Sequence, residues 1–157
     1  MRLFLASVLM VLAAGAEAAD CSKWAASKEE GESGSRMVAR ICNAAGGELT
    51  VECGAPGTLA MAFGPPGGFA PPGDNPEFVG RFSIKVGSQS FERDMTYADM
   101  DSLLYLDLKS KDDLTAALGK AEAISFASTK AGIAETTLPL NGAAAALKKV
   151  KAACPRG

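Results

Sequence analysis

Cys21, Cys42, Cys53 and Cys154 are the only cysteines in this chain of 157 residues, and what precedes them reads as an export signal. Arg2 supplies a positive start, and Leu3 to Ala14 is an apolar run of about a dozen residues. Ala16-Glu17-Ala18 then offers small residues flanking a cleavage position. The expectation is a signal peptide over 1–18 and a single β-rich domain over 19–157. No apolar run is long enough to cross a bilayer, so the processed chain is expected to be periplasmic or secreted and not membrane-spanning. An even number of cysteines in an exported chain reads as two disulfides rather than a metal or redox site, and no CxxC spacing is present. Asp20, directly before Cys21, argues against lipid attachment, which calls for a small residue there.

The cysteines also carry geometry. Leu49, Val51 and Cys53 alternate with Thr50 and Glu52 as a half-buried strand, which puts Cys53 on the apolar face. Ala143, Leu147, Val150 and Cys154 fall on one stripe of a C-terminal helix that Asn141 can cap, with Lys148 and Lys149 pointing away. Cys53 and Cys154 therefore both point at the core, and Cys53–Cys154 is the favoured bridge among the three possible pairings. Such a bridge closes a loop of about 100 residues, worth roughly 4–5 kcal/mol on the chain-entropy model. Cys21–Cys42 is what remains, and it would pin the segment containing Trp24 onto the first hairpin. A Cys42–Cys53 bridge fits less well, because Cys42 lies opposite Ile41 in its strand's alternation.

The remaining patterns are mostly β. Alternation predicts strands over 35–42, 49–53, 58–63, 78–86, 90–95 and 103–108, with a helix from Tyr97 as the alternative for the last. Further strands are expected over 123–128 and 134–138. Asp112 and Asp113 can cap a short helix ending at Gly119. Between the strands, Gly64 to Pro76 holds five prolines and four glycines in thirteen residues. That composition excludes a helix or central strand and predicts an exposed loop of polyproline character. The fold class expected is mainly β: a disulfide-stapled β-sandwich or flattened barrel of seven or eight strands with two short helices, the last at the C-terminus.

The search for chemistry is mostly one of exclusion. The chain has no histidine, which excludes Ser-His-Asp and Cys-His nucleophilic machinery and argues against a zinc or copper site. Gly31-Glu32-Ser33-Gly34-Ser35 starts like a nucleophile elbow, but its fifth residue is serine and no strand is expected before it, so it reads as a polar linker. Ser128-Thr129-Lys130 lacks SxxK spacing. The net charge is −2 and no basic stripe with interleaved aromatics occurs, so nucleic acid is not an expected partner. Asp99 and Asp101 would share a face of an extended chain, the minimum for a histidine-free hydrolase using acidic residues. Asp94, Asp99 and Asp101 together are the weak candidates for a calcium site, with a solvated turn as the plain alternative. No cofactor is expected.

The strand Leu49 to Cys53, the segment Leu114 to Leu118 before a further strand, and the close Thr136 to Gly142, Ala146-Leu147 and Ala153-Cys154 also carry a resemblance. They resemble periplasmic accessory proteins associated with type VI secretion. More distantly, at the ending, they are similar to invasion-associated locus B proteins. The resemblance implies a periplasmic β-sandwich without catalytic residues, and supports the Cys53–Cys154 pairing.

The functional expectation is an exported, non-enzymatic binding or accessory module of the bacterial envelope, whose partner is a protein or envelope component. Its candidate binding loop comprises Pro65, Pro66, Phe69, Pro71 and Pro72, with Phe69 an exposed aromatic suited to a partner's groove or, alternatively, folded back on the sheet. The alternatives are an inhibitor of an attacking enzyme such as lysozyme, and the acidic-residue hydrolase.

Overall fold

A computed structural model describes residues 21–31, 34–109 and 111–155. The predicted signal peptide at 1–18, Asp20 and Arg156 lie outside the described residues. The elements run β1 (Ala25–Gly31), β2 (Gly34–Cys42), β3 (Glu48–Cys53), β4 (Thr58–Gly64), β5 (Val79–Val86), β6 (Gln89–Ala98), β7 (Leu103–Lys109), α1 (Asp113–Leu118), β8 (Ala123–Ser128), β9 (Ile133–Pro139) and α2 (Ala143–Ala153).

All nine strands belong to one antiparallel sheet in the order β1-β2-β3-β4-β7-β6-β5-β8-β9. Alternation explains most of them. In β5, for example, Gly80, Phe82, Ile84 and Val86 are buried while Arg81, Ser83 and Lys85 face outward. The inner face folds over on itself: Phe63 of β4 and Phe126 of β8, four strands apart in the sheet, stack with centroids 4.3 Å apart. The result is a flattened barrel that does not close, since no ladder joins β1 to β9 among the described residues.

Side chains seal the gap instead. Trp24 donates its indole Nε1–H to the carbonyl of Pro139 at 3.0 Å, and its backbone N–H to the carbonyl of Asn141 at 3.1 Å. Asn43 Nδ2 donates to the carbonyl of Thr137 at 2.9 Å, while its Oδ1 accepts from the N–H groups of Ala45 and Gly47 and fixes the β2–β3 turn. Trp24 is thus pinned onto the end of β9, while the Cys21–Cys42 bridge and the bond from Cys42 N–H to the Cys21 carbonyl at 2.8 Å hold its segment on the β2–β3 hairpin, as expected.

Both favoured disulfides are present. Cys21–Cys42 has its Cα atoms 5.2 Å apart, and Cys53–Cys154 has them 5.3 Å apart. The second ties α2, which packs across β1, β2 and β3, to the end of β3. Ala143, Leu147 and Val150 of the expected stripe are buried, joined by Ala146.

Three expectations change. The fold has nine strands, the unexpected one being β1. Its sequence AASKEEG is mostly exposed, so it shows no apolar alternation to read. Charged residues such as Lys28, Glu29 and Glu30 are what an unpaired sheet edge tolerates. The supposed linker from Gly31 to Ser35 therefore joins two strands of a hairpin, with Glu32 and Ser33 outside the described residues. Finally, α2 is not capped by Asn141. Its N-cap is Gly142 at φ 87°, with no side-chain cap, and a Cβ there would come within 3.1 Å of the Trp24 carbonyl oxygen. The seal at Trp24 thus demands a glycine at the start of the helix. Where the alternation left a choice, β6 continues as strand through Ala98, so no helix begins at Tyr97.

Candidate functional site

Strand directions gather four connections at one end of the barrel: residues 43–47, 65–78, 99–102 and 129–132. The proline-rich segment is the largest of them. It does not run as polyproline throughout but folds into two turns. Gly68 N–H bonds the carbonyl of Pro65 at 3.0 Å, with Pro66 and Gly67 (φ 80°) at the corners. Asp74 N–H bonds the carbonyl of Pro71 at 3.0 Å, with Pro72 and Gly73 (φ 68°) at the corners. Proline at the first corner and a positive-φ glycine at the second is type II turn chemistry. The same Pro-Pro-Gly unit is thus used twice.

Between the two turns the chain dips inward. Phe69 is only 9 % exposed, so of the two readings of this residue it is the one folded back on the sheet that holds, not the exposed aromatic. Its ring lies 5.4 Å from Tyr97, edge-on, and 5.5 Å from Phe78. Lys130 closes the other side: its Nζ donates to the carbonyl of Val79 at 3.0 Å and lies 5.9 Å from the centre of the Phe78 ring. Burying an aromatic ring is worth more than leaving it to water, so Phe69 anchors the loop and is not offered to a partner. Pro65 is buried with it and Pro71 half-buried, leaving Pro66 and Pro72 as the exposed members of the expected set.

A groove of about 390 Å³ runs between this loop, at Pro65, Pro66 and Phe69, and the segment Ala131 to Ala134. The second wall is the start of β9, which pairs with β8 alone. Val79, 45 % exposed, and Met100, 98 % exposed at the tip of the β6–β7 turn, are the large exposed apolar side chains of the described residues, and both lie at this end. Neither they nor the β9 wall were singled out from the sequence. The repeated Pro-Pro-Gly unit was a visible signal for the turns, whereas the wall is contributed by residues some sixty positions further along and left none.

The acidic candidates are not brought together. Asp94 lies on the outer face of β6, paired with Arg81 Nε at 3.0 Å. Asp99 and Asp101 sit in the β6–β7 turn, not on an extended strand, and Asp101 accepts from the Tyr105 hydroxyl at 2.9 Å. No group of three or more potential metal ligands is gathered among the described residues. Burial, then the hydrogen bond and charge of Asp101, push the Tyr105 phenol up to about 12. On the same outer face burial raises the pKa of Glu52 despite its ion pair with Arg36 at 2.9 Å. The opposite shift occurs at Glu135, held low by the hydrogen bond from Ser125 and by Lys85. These are ion pairs and a hydrogen bond on the outer sheet surface, and the groove at the loop end is lined by none of these residues.

No family model matches the chain, and a search of curated proteins finds no match either. Among solved structures, the crystal structure of invasion associated protein b from Bartonella henselae is similar, with a TM-score of 0.58 and 15 % sequence identity. The match covers 82 % of this chain and 92 % of that one. At this identity the likeness establishes the fold.

Proposed function

We propose that the chain is an exported, non-enzymatic binding module of the bacterial envelope, and that it recognises a protein or envelope component through its proline-loop end. The observation that carries this reading is the pair of type II turns locked by buried Phe69. A loop already fixed in one shape loses little conformational entropy on binding, so more of its contact energy survives as affinity. The exposed Pro66 and Pro72, with Val79 and Met100 nearby, offer the apolar contacts. Export is supported by the apolar N-terminus and by two disulfides, which persist in oxidising compartments. The similarity of fold to a protein titled invasion associated supports an envelope setting. A type VI accessory role is a narrower version of the same reading, resting on the resemblance of the strand and helix endings.

The test is cross-linked capture from an envelope extract by the oxidised protein, compared with a Pro66→Ser, Pro72→Ser variant. Both prolines are exposed, so thermal stability is expected to hold while capture of any stoichiometric partner falls about tenfold, one well-made contact's worth. Capture undiminished by the substitutions would remove the loop from the function.

A further inference from the structure

The opposite end of the barrel carries a different chemistry. There β7 ends, α1 and its flanks follow, and α2 lies across β1 to β3. Six lysines occupy these segments: Lys109, Lys111, Lys120, Lys148, Lys149 and Lys151. Against them stand Asp107 on the same face of β7 as Lys109, Asp112, already paired with Arg93 at 3.4 Å and capping α1, with Asp113 and Glu122. None of the six lysines is ion-paired among the described residues, whereas every described arginine is. The two helices come close, a Cβ on Gly119 falling 4.0 Å from the Ala144 Cα. Between them runs a shallow groove of about 310 Å³ rimmed by Lys120, Lys148 and Lys151 over a floor that includes Ala116 and Leu147.

We infer that this helical end docks on the phosphate headgroups of an anionic lipid surface. Clustered lysines beside an amphipathic helix are the charge pattern such surfaces attract, and their aliphatic stems can lie along an apolar floor while the ammonium groups reach outward. Three features favour a lipid surface over an acidic protein. The cations are all lysine, point charges without the bidentate fork of arginine that specific carboxylate recognition uses. The large exposed apolar side chains lie at the far end of the barrel, and the one aromatic ring near Lys120, that of Phe91, is half-buried, so a protruding anchor for a protein hot spot is missing here among the described residues. The charges are also spread over the flanks of α1 and along α2, with only three of the six at the groove, which suits a fluid, multivalent surface. The exposed face of α2 is alanine and lysine, so the contact is electrostatic adsorption and not insertion. Docked this way, the protein holds its proline-loop end away from the membrane, free for a partner.

The test is vesicle co-sedimentation of the oxidised, exported protein. Binding is expected to vesicles with about a third phosphatidylglycerol and not to pure phosphatidylcholine, and to fade as salt rises from about 0.02 to 0.5 M. At about fivefold per lysine, a Lys120→Ala, Lys148→Ala, Lys151→Ala variant is expected to lose about a hundredfold in partitioning. Lys28→Ala, on β1 and paired with Glu30, is expected to keep it. The three substituted lysines are exposed, so an unchanged melting profile verifies the fold. Three outcomes would overturn the inference: no binding to anionic vesicles at low salt, binding undiminished in the triple variant, or retention on poly-glutamate without vesicle binding.

Discussion

Tyr105 and Asp101 show how a single contact on the sheet surface becomes a measurable property. The phenol donates to Asp101 at 2.9 Å, and its pKa moves from the ordinary 10.0 to about 12, mainly through burial. Between those two values the unfolded chain ionises while the folded one keeps its proton. The folded state therefore binds more protons in that window and loses stability as pH rises through it. Asp101→Asn removes the negative charge beside the phenol, and the phenolate absorbance midpoint is expected to fall toward 10. A midpoint that stays near 12 would show that burial alone sets it. Phe69 makes a different point at the same scale. Its apolar character was legible in the sequence, but its direction was not. Two prolines on either side leave the backbone few conformations, and the two glycine corners then turn the ring toward Phe78 and Tyr97.

Among the elements, α2 depends most on what lies elsewhere in the chain. Its buried stripe is written in the spacing of Ala143, Leu147 and Val150, because a helix repeats locally. Its start is not, because Gly142 is required by the carbonyl of Trp24, more than a hundred residues away. Its end is held by the bridge from Cys154 to Cys53. That bridge spans 101 positions and the other spans 21. On the chain-entropy model the paired Cys53→Ser, Cys154→Ser change is expected to cost about 5 kcal/mol, and Cys21→Ser, Cys42→Ser about 3 kcal/mol. Denaturant unfolding of the two variants orders them, and equal losses would mean loop length is not what matters. β1 marks the limit of reading elements from periodicity: an edge strand that is mostly exposed, with little beyond Ala26 packed inward, has no apolar alternation to display.

For the whole molecule the decisive feature is the unclosed barrel. Trp24 and Asn43 occupy the carbonyls of Pro139, Asn141 and Thr137 along the open edge of β9, standing in for a tenth strand. Trp24→Phe keeps an aromatic ring but leaves the Pro139 carbonyl without its donor, at an expected cost of about 1–3 kcal/mol. Hydrogen exchange is expected to quicken in β1 and β9 but not in central β7; uniform quickening would mean the seal is not local. Strand periodicity, the apolar stripe of α2, both disulfide pairings and the turn-forming prolines could all be read from residue order. Each rests on spacing within a few residues or on the side a cysteine faces. The contact of Phe63 with Phe126, the sealing of β9 by Trp24, the groove beside the proline loop and the segregation of lysines from exposed apolar side chains could not. They depend on how far a nine-stranded sheet curls, and that curvature alone brings together residues distant along the chain.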